Sequence, residues 1–87
     1  MKVAFSAEGW DDYVHWQNTD RSMLKRVNRL IQECVRDPAA GIGKPESLKH
    51  VMEQTWSRRV SEEHRLVYTM VDDTLVVLQC RFHYVRR

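Results

Sequence analysis

An α+β fold, two N-terminal helices packed on an antiparallel β-sheet, is the architecture that these 87 residues predict. Three observations carry it. Apolar residues recur at helical spacing as far as Cys34, one Pro- and Gly-rich break follows, and beyond the break the pattern shifts to period two among β-branched and aromatic residues.

The elements follow in order. Lys2-Val3-Ala4-Phe5 is a short strand that stops at Ser6, a good helix N-cap. Trp10, Tyr13, Val14 and Gln17 then fall at helical spacing, with Glu8, Asp11 and Asp12 early, where the helix dipole favours acids. Asp20 caps a second helix, in which Met23, Val27, Leu30, Ile31 and Cys34 form an apolar stripe opposed by Lys25, Arg26 and Arg29. Pro38 ends it. Asp37 to Pro45 is the joining loop, and Pro45 to His50 reads as a short helical turn with Pro at its favoured first position. Thr55 to Val60, His64 to Val71 and Leu75 to Val85 read as three antiparallel strands.

The faces of the last two strands follow from their alternation. Val76, Leu78, Cys80, Phe82 and Tyr84 make an unbroken apolar row, as do Leu66, Tyr68 and Met70, so both even rows are expected to face the core. Burying them together pairs residues of equal parity and asks for the three-residue loop Asp72-Asp73-Thr74. Arg65 then faces Arg81, and His83 becomes a diagonal neighbour of Arg65, roughly 7–8 Å away at Cα on the polar face. Arg58 or Arg59 joins them, depending on the register of the neighbouring strand.

Composition excludes several classes of function. One domain spanning residues 1–87 is all that this length supports. Hydrophobic residues at 43% and charged residues at 30% describe a folding chain rather than a disordered one. No apolar run approaches a membrane span, and the polar turn after Phe5 argues against a secretory segment. Cys34 and Cys80 lack CxxC spacing and sit in apolar rows, as small buried hydrophobes do in a reducing cytoplasm. The four histidines match no zinc spacing, so neither metal nor cofactor is expected. The net charge is +2, and its whole excess falls in residues 44–87, too weak a signal to demand nucleic acid.

The polar sheet face is either a solvated surface or a site, and Glu46, which can be carried over the sheet by the preceding loop, is either a helix-start acid or part of that site. A carboxylate, an imidazole and a guanidinium together suit RNA cleavage by its own 2′-hydroxyl. Glu46 as base would remove the hydroxyl proton, His83 as acid would protonate the leaving 5′-oxygen, and Arg65 would stabilise the charge that accumulates on phosphorus. DNA, lacking the attacking group, would not be cut.

Four segments also resemble a known family. Trp10-Asp11-Asp12-Tyr13, Gly43 through His50 (GKPESLKH), Trp56 through Tyr68 (WSRRVSEEHRLVY) and Cys80-Arg81-Phe82-His83-Tyr84 look like the YoeB toxins of the RelE/ParE superfamily, from bacterial type II toxin-antitoxin systems. The similarity runs through nearly the whole chain in order. It implies a RelE-like, microbial-ribonuclease-like fold and an endoribonuclease that cuts mRNA in the A site of the 70S ribosome. It also implies a cognate YefM-like antitoxin, with a homodimer left open. Position by position, the family's base falls on Glu46, its transition-state arginine on Arg65, its acid on His83, and a tyrosine near the active site on Tyr84. Lys49 and Arg59 match basic positions that would hold RNA, and Arg58 and Arg81 are further candidates for that role. Phe82 stands where a tyrosine would be unsurprising, and Val85-Arg86-Arg87 extends past the resemblance.

Trp10, Trp16 and Trp56 are read as core or interface rather than base-stacking platforms. His15 is read as surface, while His50 and His64 stay open between structural and RNA-facing roles. Two readings of other classes stand beside the nuclease: a non-catalytic RNA- or ribosome-binding module, and a domain that serves only to bind an antitoxin.

Overall fold

The computed structural model of the chain describes residues 1–83. Its elements are β1 (Lys2–Phe5), α1 (Ala7–Thr19), α2 (Arg21–Arg36), β2 (Glu46–Ser47), β3 (Thr55–Arg59), β4 (Arg65–Val71) and β5 (Thr74–Gln79). The five strands form one sheet in the order β1-β5-β4-β3-β2. Three neighbouring pairs are antiparallel, and β1 closes the far edge in parallel with β5. This is the two-helix α+β arrangement expected.

Both expected helix caps are present. Ser6 Oγ accepts from the Gly9 N–H at 3.1 Å, and Asp20 Oδ1 accepts from the N–H groups of Ser22 and Met23 at 3.1 and 3.2 Å, satisfying donors that a helix start otherwise leaves bare. The apolar stripe of α2 buries Val27, Leu30 and Cys34 completely, and these meet Leu66, Tyr68, Leu75, Val77 and Cys80 from the sheet, with Trp16 of α1 beside them. One sheet face is thus covered by helices. The other carries Thr55, Ser57 and Arg59 of β3, paired respectively with Thr69, Val67 and Arg65 of β4.

Three expectations need correction. Glu46 and Ser47 do not open a helical turn but pair with Ser57 and Trp56 as an edge strand, and Leu48 N–H continues the ladder to Thr55 O at 2.8 Å. A ready strand edge offers that backbone more hydrogen bonds than one isolated turn would. Secondly, the β4–β5 turn has two residues, Asp72 and Asp73, not three. Asp72 adopts φ of 53°, a left-handed conformation that a short acidic side chain tolerates. An even loop pairs residues of opposite parity, so Leu75 and Val77 face the helices, while Val76 and Leu78 are only partly buried. Thirdly, β5 ends at Gln79 rather than running on to Val85, and Phe82 is exposed.

A bulge then reverses part of the error. Tyr68 pairs with Val77 but Val67 pairs with Gln79, so Leu78 is the extra residue on β5. Past Leu78 the pairing returns to equal parity, and Cys80 turns into the core as expected.

Candidate active site on the helix-free sheet face

The site is built on the row that crosses the helix-free face. Glu46 pairs with Ser57, Ser57 with Val67, and Val67 with Gln79, placing one residue from each of four adjacent strands on a line. Arg59 and Arg65 form the next pair along the same face. Standard strand spacing puts the Cα atoms of Glu46 and Arg65 roughly 12 Å apart, a gap that two long side chains and a phosphodiester can fill. Glu46 is exposed at the edge.

The joining loop delivers β2 to this position. Arg58, adjacent in sequence to Arg59, points to the helix side and is wholly buried. Its Nη1 donates to Ile42 O at 2.8 Å, its Nη2 to Asp37 O and Ala40 O at 2.6 and 2.8 Å, and its Nε to the Tyr68 hydroxyl at 2.9 Å. The guanidinium therefore shapes the loop and places positive charge at the C-terminal end of α2. Arg58 as an RNA contact is corrected accordingly: every donor group on it faces the interior. Arg59 takes the exposed position, its N–H bonded to Gly43 O at 2.6 Å.

Arg65 and His83 do come together, though not through a continuous strand. Arg65 Nη1 donates to the carbonyl oxygens of Ser61, Glu62 and His64 at 2.7, 3.2 and 3.0 Å. His83 Nε2 lies 2.9 Å from the same Glu62 oxygen, and since a carbonyl only accepts, Nε2 is the donor. The Arg65 guanidinium and the His83 imidazole thus converge on one backbone oxygen.

The segment carrying His83 is held from several sides. Buried Asp12 of α1 accepts from Cys80 N–H at 3.0 Å, and Trp16 Nε1 donates to Cys80 O at 2.8 Å. Gln79 Nε2 donates to Arg81 O and His83 O at 3.1 and 3.0 Å. Phe82 N–H donates to His64 Nδ1 at 2.6 Å, and Arg65 N–H to Phe82 O at 2.9 Å. Phe82 has φ of 65°, a conformation that costs a bulky residue on the order of 1 kcal/mol or more, so these bonds sustain a bend that the chain would not otherwise keep. Partial burial pushes the His64 pKa below the ordinary imidazole value; nearby Glu63 opposes that, while Arg81, His15 and His83 add to it.

Of the other candidates, Lys49 is exposed beside β2, and Arg81 stacks its guanidinium 4.6 Å from the centre of the Phe82 ring. Tyr84 lies outside the described residues. His50 is exposed, and among the described residues no cluster of three His, Cys, Asp or Glu side chains could hold a metal ion. Sequence reasoning missed Asp12, Trp16 and Gln79 as supports of the site, and of the two roles left open for His64 the structure shows the structural one. Asp12 could have been found, since an acid one turn before Trp16 on the core-facing side of a helix requires a partner.

The comparisons with known proteins agree with this geometry. Residues 5–84 match the model of the YoeB-like toxin of bacterial type II toxin-antitoxin systems. The chain is 52% identical to toxin YoeB of Escherichia coli K12 over 97% of its own length and all of that protein's, and 46% identical to toxin RelK of Mycobacterium tuberculosis over 94% and 96%. A YoeB/ParE toxin from Agrobacterium tumefaciens superposes with a TM-score of 0.89 at 49% identity, covering 97% of this chain and all of that one. A YoeB dimer from Staphylococcus aureus gives a TM-score of 0.88 at 40% identity, covering 97% and 98%, and a heterotetrameric YoeB-YefM complex from the same organism gives 0.85 at the same identity and coverage. The likeness thus extends over the helices, the sheet and the segments bearing Glu46, Arg65 and His83, and the chain belongs to the YoeB family of toxins of type II toxin-antitoxin systems.

Proposed function

We propose that this toxin is a ribosome-dependent endoribonuclease that cuts mRNA in the ribosomal A site and so stops translation. The observation that carries the reading is the helix-free face itself: Arg65 and His83 meet on the Glu62 carbonyl, and Glu46 stands two strands away on the same surface. Arg59 directly opposite Arg65 supports it further, since two like charges facing each other destabilise a sheet until an anion lies between them.

The chemistry follows from the three groups. Glu46 carboxylate takes the proton from a ribose 2′-hydroxyl, whose oxygen attacks the adjacent phosphorus. The P–O5′ bond breaks, His83 gives its proton to the departing 5′-oxygen, and a 2′,3′-cyclic phosphate is left. Arg65 exchanges the Glu62 carbonyl for a non-bridging phosphate oxygen and stabilises the extra charge of the transition state. Lys49, Arg59 and Arg81 hold the RNA backbone or ribosomal RNA, and Tyr84, outside the described residues, is kept as a catalytic candidate on the family resemblance alone. A domain this small has little surface for selecting a substrate, and the ribosome supplies that selection by presenting mRNA in a fixed conformation.

A cognate YefM-like antitoxin is the partner we infer, because the Staphylococcus aureus relative was solved with YefM, and the dimeric relative makes self-association a second expected contact. We place the toxin in the cytoplasm with its ribosomes; no helix among the described residues is long and apolar enough to cross a membrane. The test is cleavage on ribosomes programmed with a defined mRNA. Glu46→Gln and His83→Gln should each slow cutting by roughly 10²- to 10⁴-fold, the usual worth of a general base or acid. A single 2′-deoxy nucleotide at the scissile position should abolish it, and persistent cleavage there would refute the mechanism. Unchanged translation arrest by both variants would point instead to a non-catalytic ribosome-binding module.

A further inference from the structure

His64 has no part in the chemistry just described, yet it occupies the joint of the site. Its ring lies edge-on against Trp16 of α1 with centroids 4.8 Å apart, and 5.8 Å from the Phe82 ring. Its Nδ1 receives the Phe82 N–H, on the residue whose left-handed bend turns the chain so that His83 reaches Glu62 O. An imidazole nitrogen accepts a hydrogen bond only while it is unprotonated, so this contact requires the neutral ring with its proton on Nε2.

We propose that His64 is the positioning residue of the site: its neutral ring holds the Phe82 bend that aims His83, and protonating the ring releases the bend. Protonated His64 would set an N–H donor against an N–H donor at 2.6 Å, an arrangement that must open. The bend then loses its hold on the amide side, keeping the Arg65 N–H to Phe82 O bond and the two Gln79 bonds. The charged and titratable groups facing the ring are His15 on α1, Glu63 beside it in the chain, and Arg81 and His83 on the C-terminal segment. Three of these four repel a proton on His64 and Glu63 attracts one, and partial burial with the three repelling groups favours the neutral ring that the Phe82 contact requires.

The claim about the bend stands on the contacts alone, and the claim about rate rests on the nuclease reading, so the experiment reads them separately. In isotope-labelled toxin, the Phe82 amide proton and the ring resonances of His64 and His83 are followed by NMR from pH 8 down to about 4.5, bracketing the ordinary imidazole range. The Phe82 amide should shift with the midpoint of the His64 ring. In His64→Asn, whose side-chain carbonyl can accept the same bond but does not titrate, the amide should stay in its high-pH position throughout. A Phe82 amide that follows His83 instead, or that does not move, would overturn the proposal. On programmed ribosomes, His64→Leu should cut roughly 10²-fold more slowly, as expected when a reacting group is displaced by about an ångström. His64→Asn should recover most of that rate, with the acid limb of its pH profile displaced downward relative to wild type. Equal rates for Asn and Leu, with both variants folded, would also overturn it. If the amide titrates as expected while wild-type toxin cuts no RNA, the positioning stands and the nuclease reading falls.

Discussion

Two adjacent arginines serve opposite sides of one sheet. Arg58 and Arg59 are chemically identical in the sequence, and only the pairing of β3 with β4 sends the first to the interior and the second to the surface. Parity could be read from the sequence, but which parity faced inward could not, because Trp56 on one side and the Thr55, Ser57 pair on the other give no decisive contrast in hydrophobicity. Buried Arg58 is bonded to three loop carbonyls and a phenol, and each acceptor orphaned in a dry interior costs about 1–3 kcal/mol. Arg58→Leu should therefore lose on the order of 3 kcal/mol or more in urea unfolding. Arg58→Lys should recover little of it, since one ammonium cannot span a fork of acceptors. Beside it, burial pushes the Tyr68 phenol far up, so the group that accepts from Arg58 Nε and donates to Pro38 O keeps its proton across the working range.

At the scale of elements, both helices and their caps were legible but the buried face of α1 was not, since Gly9, Asp12 and Trp16 turn inward while Trp10 and Gln17 are exposed, and the sheet was legible only in part. Ser6, Asp20 and the Val27, Leu30, Cys34 stripe act within a few residues of chain, and the structure keeps all of them. Strand faces depend on how two distant segments slide past each other, and a single residue of slippage inverts a face. That happened at the Asp72-Asp73 turn, while the Leu78 bulge restored the expected alignment at the end where the site lies. A bulge has no signature in an alternating run such as Leu75 to Cys80. What it requires of its surroundings is visible instead at Gly9, where α1 crosses β5: a Cβ on Gly9 would stand 2.2 Å from Val77 O. Ser6 Oγ, one turn earlier, reaches the carbonyls of both Val77 and Leu78. Gly9→Ala must push the helix off the strand, and should cost about 1–3 kcal/mol in unfolding experiments, the range for an overpacked contact. Ser6→Ala, which removes bonds without adding bulk, should cost less.

For the molecule as a whole, pH dependence joins the site to stability. Partial burial lowers the His64 pKa in the folded protein, so below the ordinary imidazole value near 6.5 the unfolded chain binds a proton that the folded chain refuses. Stability from this group is then fully present above that value and declines as pH falls from it toward the folded pKa. Urea midpoints measured at pH 7.5 and 5.5 should fall accordingly, and His64→Asn should narrow the difference. Residue chemistry and family resemblance named Glu46, Arg65 and His83 as candidates, and the structure places all three on the helix-free side of the sheet. Of their supports only His64 was weighed for a structural role, because Asp12, Trp16 and Gln79 act, as it does, through backbone atoms of residues 80–83, and backbone atoms have no sequence.

The clasp on Cys80 bears on the order in which the candidate site is assembled during folding. Asp12 and Trp16 reach it across 68 and 64 residues of chain, among the longest separations in the molecule. Closing such distant contacts is the slow part of folding, after helices and hairpins have already formed. A half-folded chain, with both helices and the β3–β4 hairpin in place, would hold Arg65 but leave His83 adrift. The meeting of His83 with Arg65 therefore forms late, and a species that looks largely native by its helix content would still lack it.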